Sequence, residues 1–178
     1  SVFNRSQGLI EGSDGFDDIA DVTVVGTGVS FYKKCFPNNF VDLMFSATAM
    51  HWLRNMPYAD DELLHNVMAE PGSATDKAFE AEADADWRCI LSQRSVELKE
   101  GGYFGCVSFA KTNEGHYLGH SAHLSENMHG HFLTIWQSFV EDGTITQEEF
   151  KNTNFPMRYR SLEEYMNPFG GNGGGRGS

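Results

Sequence analysis

The order of strand-like and helix-like segments constrains the fold of this chain more than any other feature. Runs at Asp21–Gly26, Phe40–Phe45 and Tyr103–Phe109 have the residue types and glycine boundaries of short strands. A long segment with helical spacing separates the second run from the third, and further helical segments fill the last third of the chain. This alternation predicts an α/β sheet with helices packed against it.

Start and stop signals place the long helix and the one that follows it. Ser73 and Asp76 are spaced as a weak capping box, and Gly101 is a natural stop, so the long helix is predicted between them. A second helix is predicted from about Ser125 to Glu141. The apolar positions at helical spacing are Trp87, Ile90, Leu91 and Leu98 in the first helix, and Met128, Phe132, Ile135, Trp136 and Phe139 in the second.

Two shorter helices near the end of the chain have the same kind of start. Thr146 is followed at the right distance by Glu149, and Ser161 by Glu164. The Ser/Thr-x-x-Glu pattern is a sequence signature of a helix N-terminus. We therefore predict one short helix after Thr146 and another after Ser161.

Composition narrows the class of partner. The chain has 178 residues, enough for one domain, and a net charge of −12, which argues against binding to a nucleic-acid backbone. It contains no apolar run long enough to cross a bilayer, so no membrane partner is expected. Its three cysteines are widely spaced and predict reduced thiols. With neither an initiator Met nor a signal-peptide core, a cytoplasmic fragment or internally started chain is expected.

Residues 28–57 carry the most informative motifs. They are Ser30-Phe31-Tyr32, Phe36-Pro37, His51-Trp52-Leu53 and Met56-Pro57. In this order and spacing the segment resembles the SABATH-type carboxyl methyltransferases, which use S-adenosylmethionine. That family includes salicylate, jasmonate, indole-acetate and farnesoate carboxyl methyltransferases and the caffeine-pathway N-methyltransferases.

The resemblance continues through the long helix. The family pattern A-x(7)-D-x(7)-R-x-x-E-L-x-x-G-G is matched by Ala78, Asp86, Arg94, Glu97-Leu98 and Gly101-Gly102. Further matches extend through Asp142-Gly143, Phe155-Pro156 and Arg160-Ser161, so the resemblance covers most of residues 20–165. Several ordered motifs at the correct spacing make a specific signal.

The resemblance implies a fold and a domain organisation. Residues 1–110 would be the C-terminal part of a class I, Rossmann-like α/β methyltransferase core, and residues 111–168 a helical cap that lines the substrate pocket. Residues 169–178 would be a flexible Gly-rich tail. The chain would be the C-terminal two-thirds of such an enzyme, without the N-terminal segment that holds much of the cofactor. We therefore expect the isolated chain to bind S-adenosylmethionine weakly or not at all.

The resemblance also assigns the central site residues. Ser30 and Phe31 would contact the adenosine part of S-adenosylmethionine, the serine through its hydroxyl and the phenylalanine by packing on the purine. Trp52 would donate its indole N–H to the carboxylate of a small organic acid. Ordinary core packing is the alternative for each side chain. Both motifs follow predicted strands, and ligands of such sheets bind outside the carboxyl ends of the strands.

Six further side chains are assigned to the substrate pocket by the resemblance. His51 borders the substrate, although a hydrogen-bonded structural role is equally compatible with its position. Salicylate-type members have an aromatic residue at the position of Thr48, and this departure argues against a salicylate-like acid. The remaining pocket positions are Phe109, Met128, His129 and Tyr159, with Arg158 as the alternative to Tyr159. For each of them, ordinary packing or surface exposure is the other possible role.

Other functions compete with carboxyl methylation. The acceptor could be a nitrogen atom, as in the caffeine-pathway relatives, or the chain could be an inactive homologue that only binds. Many members of the family form homodimers. Val25–Gly28 contains a lone Gly-x-Gly that weakly resembles a dinucleotide loop. A metal-binding module is a further alternative, suggested by the crowding of five histidines: His116, His120, His123, His129 and His131. The glycines between them argue against it.

Overall fold

The computed structural model describes residues 26–57, 64–118 and 127–170. The predicted strand at Asp21–Gly26 lies outside these ranges except for its last residue, and so do His120, His123 and the tail after Gly170. The described elements are β1 (Val41–Ala47), α1 (Ala74–Glu97), β2 (Leu98–Val107), α2 (Met128–Glu141), α3 (Gln147–Lys151), α4 (Leu162–Met166) and the 3-10 helices Asn66–Met68 and Asn167–Phe169.

Strands β1 and β2 pair in parallel, with α1 as the connection between them. Their register runs from Leu43 opposite Tyr103 to Ala47 opposite Val107, after an irregularity between Val41 and Leu43. This arrangement confirms the predicted α/β character. The bounds differ, because β2 begins five residues before Tyr103 and ends two residues before Phe109.

Helix α1 begins as predicted but ends earlier. The Ser73 side chain accepts a hydrogen bond from the Asp76 amide at 3.1 Å, whereas the Asp76 carboxylate accepts from Gly72, so only half of a capping box forms. Gly101 was wrong as the stop. The helix ends at Glu97 because Leu98 is already extended, and Gly101 lies inside β2 with a φ of +76°.

The core lies between α1 and one face of the sheet. Met50, Trp87 and Ile90 form a buried cluster against which Phe104 of β2 packs. Leu53, Phe79 and Ala83 form a second buried cluster. Helical spacing put these α1 side chains on one stripe, as the sequence predicted for Trp87 and Ile90.

The opposite face of the sheet is open. Leu43, Phe45 and Tyr103 alternate with Met44 and Phe104, so they point away from α1. Their side chains are 67%, 70% and 74% exposed, respectively. Parallel sheets are normally covered on both faces. Within the described residues this sheet is covered on one face.

Helix α2 begins at Met128, with Asn127 as its N-cap, and ends at Glu141 before Gly143. Its predicted apolar stripe faces outward in part, since Phe132 and Ile135 are exposed. Helices α3 and α4 confirm the two predicted starts. Each begins with a complete capping box, made by Thr146 with Glu149 and by Ser161 with Glu164.

An extended segment at 156–160 joins the last third of the chain to the residues that follow β1. The Leu53 amide donates to the Pro156 carbonyl at 2.7 Å, and the Arg158 amide donates to the His51 carbonyl at 2.8 Å. Arg160 forms a parallel bridge with Ala110. The sequence did not predict this pairing, which places Tyr159 beside His51. The division into core and cap at residue 110 stays a prediction.

Candidate functional site

The turn Ser30–Phe36 is held from one side by a buried ion pair on α1. Arg94 donates to the carbonyls of Phe31 and Lys33 at 2.8 Å each, and it pairs with Glu97 at 2.7 Å. Glu97 in turn accepts hydrogen bonds from the amides of Cys35 and Phe36. Burial alone would raise the pKa of Glu97, but these hydrogen bonds lower it below its ordinary value.

Ser30 and Phe31 have different environments within that turn. Ser30 is exposed, and its hydroxyl accepts a weak 3.4 Å hydrogen bond from the Tyr32 amide. Phe31 is half-buried against the Met50 cluster and borders a cleft of about 410 Å³ that extends along β1 as far as Ser46. An exposed hydroxyl beside an aromatic ring at a cleft fits the predicted contact with adenosine.

Trp52 follows β1 through a tight turn. Thr48 adopts a positive φ of 52°, and its amide donates to the Val107 carbonyl at 2.7 Å. The indole of Trp52 is 42% exposed. Its backbone is nevertheless fixed, because Trp52 bridges Met157 and its carbonyl accepts a 2.7 Å hydrogen bond from the Tyr32 hydroxyl. An accessible indole on a fixed backbone can orient a ligand.

A cluster of rings surrounds Tyr159, which is 3% exposed. We call it the Tyr159 cluster. Ring centroids of five residues lie within 5.4–6.1 Å of the Tyr159 ring: His51, His65, Phe109, Tyr117 and His129. The His51 ring also lies 5.7 Å from the Trp52 indole. Four of the predicted pocket residues, His51, Phe109, His129 and Tyr159, are thus brought together, and His51 links them to the indole.

The other predicted pocket residues have separate positions. Thr48 lies in the exposed turn after β1, and Met128 is half-buried at the start of α2, beside His129. Arg158, the alternative to Tyr159, is buried, and its guanidinium contacts Asp76 at 2.6 Å and Glu164 at 2.9 Å. The Arg158 guanidinium is occupied by this ion-pair network. Of the two alternatives, Tyr159 is therefore the one that belongs to the cluster.

His65 belongs to the cluster, and sequence reasoning missed it. It is fully buried, and its Nδ1 accepts from the Val67 amide at 3.0 Å as the N-cap of a 3-10 helix. Its ring centroid lies 3.8 Å from that of His129. No motif surrounds His65, and a histidine N-cap is too weak a pattern to identify from sequence.

The three histidines of the cluster are uncharged at neutral pH. Burial, with smaller contributions from His129 and His51, lowers the pKa of His65 to about 2. Burial also lowers the pKa of His51, where Arg160 adds to the effect, and that of His129. A ligand beside the cluster therefore meets aromatic, neutral surface rather than cationic imidazolium.

Neither a metal-binding group nor a membrane-spanning helix is present among the described residues. Residues 26–57, 64–118 and 127–170 contain no group of three or more His, Cys, Asp or Glu side chains placed to hold a metal ion. His120 and His123, which the metal-binding alternative needs, lie outside those ranges. In the same part of the chain, no helix combines the length and apolar character needed to span a membrane.

Comparison with known proteins identifies relatives of similar sequence and fold. The chain is 26% identical to indole-3-acetate O-methyltransferase 1 of Arabidopsis thaliana over 84% of its own length and 40% of that protein's. It is 22% identical to anthranilate O-methyltransferase 2 of Zea mays, over 91% of this chain and 43% of the relative. A solved structure of loganic acid methyltransferase with SAH matches at a TM-score of 0.67 and 22% identity, over 90% of this chain and 46% of that one.

These matches confirm the predicted α/β methyltransferase fold, present here in part, and they correct the predicted extent. The chain spans about two-fifths of the length of these relatives rather than two-thirds. The family model for SAM dependent carboxyl methyltransferases matches residues 3–171. Because that match includes nearly the whole sequence, the chain belongs to the family of SAM dependent carboxyl methyltransferases.

Proposed function

We propose that this chain is part of an enzyme that transfers a methyl group from S-adenosylmethionine to the carboxylate of a small organic acid. The observation that carries the proposal is the position of Trp52, whose accessible indole lies beside His51 of the Tyr159 cluster and whose carbonyl is bound by Tyr32 of the turn that contains Ser30 and Phe31. Membership of the family and the names of the relatives support the reaction type.

The proposed roles follow from the contacts of each side chain. Trp52 would donate its indole N–H to the acid's carboxylate, while His51, Phe109, His129 and Tyr159 would form the wall against which the acyl group packs. Met128 and Thr48 would border that wall. The absence of an aromatic side chain at Thr48 favours an acid unlike salicylate. We propose a largely apolar acyl group, because the two histidines of the wall, His51 and His129, are neutral.

Ser30 and Phe31 would hold the adenosine end of the methyl donor. The exposed hydroxyl and the ring at the 410 Å³ cleft fit a purine with its polar edge and flat face. S-adenosylmethionine, when bound, supplies an electrophilic methyl group on a sulfonium ion. The residues of the chain need not remove a proton, because a carboxylate is already ionised at neutral pH. Their task is to orient the carboxylate and to exclude water.

We also propose that the protein works in the cytoplasm. Cys35, Cys89 and Cys106 are free thiols. Free thiols are typical of proteins kept in a reducing compartment.

Binding of an acid to Trp52 can be tested directly by nitrogen-15 NMR of the indole groups. The chain has three Trp residues and thus three indole signals, which single Trp→Phe variants assign. Indole-3-acetate should shift the signal of Trp52. The signal of Trp87 should stay in place, since its N–H already donates to the Tyr165 carbonyl at 2.9 Å. Indole-3-acetamide, which lacks the charge, is the matched control.

Catalysis needs a separate measurement. The whole enzyme of which this chain is a part is incubated with a methyl-labelled donor and a panel of acids, and labelled methyl esters are extracted. We expect ester from at least one acid, with Trp52→Phe lowering the rate about 100-fold or more through the lost orientation. Equal shifts of the Trp52 signal with the acid and the amide, together with no ester from any acid, would contradict the proposed function.

A further inference from the structure

Tyr32 lies between the two parts of the proposed site. Its hydroxyl donates to the Trp52 carbonyl at 2.7 Å. Its ring lies 4.4 Å from that of Phe31, centroid to centroid, at an interplanar angle of 34°. One side chain therefore contacts both the ring that borders the 410 Å³ cleft and the backbone that carries the indole.

The Tyr32 side chain is itself fixed. The guanidinium of Arg54 lies 5.4 Å from the centre of its ring. Arg54 is held by Asp86, which is fully buried and accepts from the Arg54 amide at 2.7 Å. The carbonyl of Tyr32 accepts from the Cys89 thiol at 3.4 Å. Burial raises the pKa of Tyr32, and Asp86 raises it further, so the hydroxyl stays a proton donor.

Apart from its bridge to Met157, the Trp52 backbone has few restraints besides the Tyr32 hydroxyl. The neighbouring residues His51 and Leu53 are tied to the 156–160 segment through the Arg158 amide and the Pro156 carbonyl. The Trp52 amide bonds only locally, to the Ala49 carbonyl at 3.2 Å. The hydroxyl of Tyr32 thus provides the link from the Trp52 carbonyl to the turn that contains Phe31.

We infer that Tyr32 is a positioning residue that couples the two halves of the site, so that a ligand packed on Phe31 strengthens binding of an acid at Trp52. This inference rests on the proposed function. A purine on Phe31 restrains the neighbouring Tyr32 ring, and the restrained hydroxyl holds the Trp52 carbonyl and hence the direction of the indole. Coupling of this kind is reciprocal, because each ligand must change the affinity for the other by the same factor.

The test uses Tyr32→Phe, which removes one oxygen and keeps the ring. Tyr165→Phe is the matched control, since its hydroxyl makes a 2.8 Å hydrogen bond to Ser108 away from the turn. In the ligand-free chain, Tyr32→Phe should shift the Trp52 indole NMR signal and Tyr165→Phe should not. A Trp52 signal that is unchanged in Tyr32→Phe overturns the inference, whether or not any ligand binds.

The coupling is measured in the whole enzyme of which this chain is a part, as the affinity for indole-3-acetate with and without saturating S-adenosylhomocysteine. We expect that ligand to tighten acid binding about 5-fold or more in the unaltered enzyme and in Tyr165→Phe. In Tyr32→Phe the factor should fall to about one, with acid affinity alone changed less than about twofold. An undiminished factor in Tyr32→Phe contradicts the inference.

A second variant tests the contact between Phe31 and Tyr32. Phe31→Leu removes the ring that would pass restraint to Tyr32, so it should lower the coupling factor measured at saturating S-adenosylhomocysteine. If neither ligand binds the unaltered whole enzyme, the proposed function fails. The ligand-free comparison of Tyr32→Phe with Tyr165→Phe then still decides the role of Tyr32.

Discussion

The two faces of the β1–β2 sheet differ in what covers them. On one face Met44 and Phe104 pack towards α1, whose Trp87 and Ile90 are buried. On the other face Phe45 is 70% exposed. Both faces have apolar side chains. The difference in exposure arises because α1 covers one face and no described element covers the other. We therefore expect the stability of this chain to come almost entirely from the α1 side.

The largest expected difference in stability is between a buried ion pair on α1 and an exposed ion pair on the sheet. Replacing the fully buried Glu97 by Gln leaves the Arg94 guanidinium without its counter-charge, and should cost about 3–5 kcal/mol of unfolding free energy. Lys99→Met removes the exposed pair of Lys99 with Asp42 and should cost about 0–1 kcal/mol. Urea unfolding followed by circular dichroism gives both values. A cost of about 1 kcal/mol or less for Glu97→Gln would show that the Arg94–Glu97 pair does not stabilise the fold.

Matched truncations compare the two faces themselves. Ile90→Ala empties a fully buried position on the α1 side and should cost about 2–5 kcal/mol. Leu43→Ala removes a similar volume from the open face, where the side chain is 67% exposed, and should change stability by about 0.5 kcal/mol or less. A large cost for Leu43→Ala in the same urea titration would mean that something covers the open face in solution.

The smallest expected effect is a dependence on pH that arises from the Tyr159 cluster. The pKa of His65 falls from an unfolded value of about 6.5 to about 2 in the folded chain. Its contribution to stability is therefore complete above about pH 6.5 and is lost as the pH falls towards 2. The loss relative to neutral pH amounts to roughly 2 kcal/mol at pH 5. His65→Asn keeps a capping oxygen but cannot titrate, and should flatten the slope of stability between pH 6.5 and 5. An unchanged slope would place the pH dependence elsewhere.

Sequence patterns predicted the local structure of this chain well. The caps at Ser73, Thr146 and Ser161 lie where the motifs put them, because capping depends on residues within one helical turn. The end of α1 was misplaced. Gly101 has the positive φ that glycine permits, but Glu97 is engaged by the amides of the Ser30–Phe36 turn, a contact that spans more than sixty positions. Contacts of that range leave no periodicity in sequence.

The candidate site was predictable only where a family motif named its residues. His51, Phe109, His129 and Tyr159 were all identified in that way, and they lie in one cluster. His65 was missed because its place in the cluster depends on the fold around a 3-10 helix rather than on any motif. The roles of Ser30, Phe31 and Trp52 stay predictions that the NMR and labelling experiments address.

The parallel pairing of β1 and β2 has a consequence for how the molecule forms. Parallel strands cannot be joined by a tight hairpin, and here all of α1 separates them along the chain. Pairing must therefore wait until the helix has reversed the direction of the backbone, which is a slow, non-local step. During that interval the apolar side chains of Met50, Trp87 and Ile90, which are buried in the folded chain, are available to other molecules. Refolding should thus lose yield to aggregation as protein concentration rises.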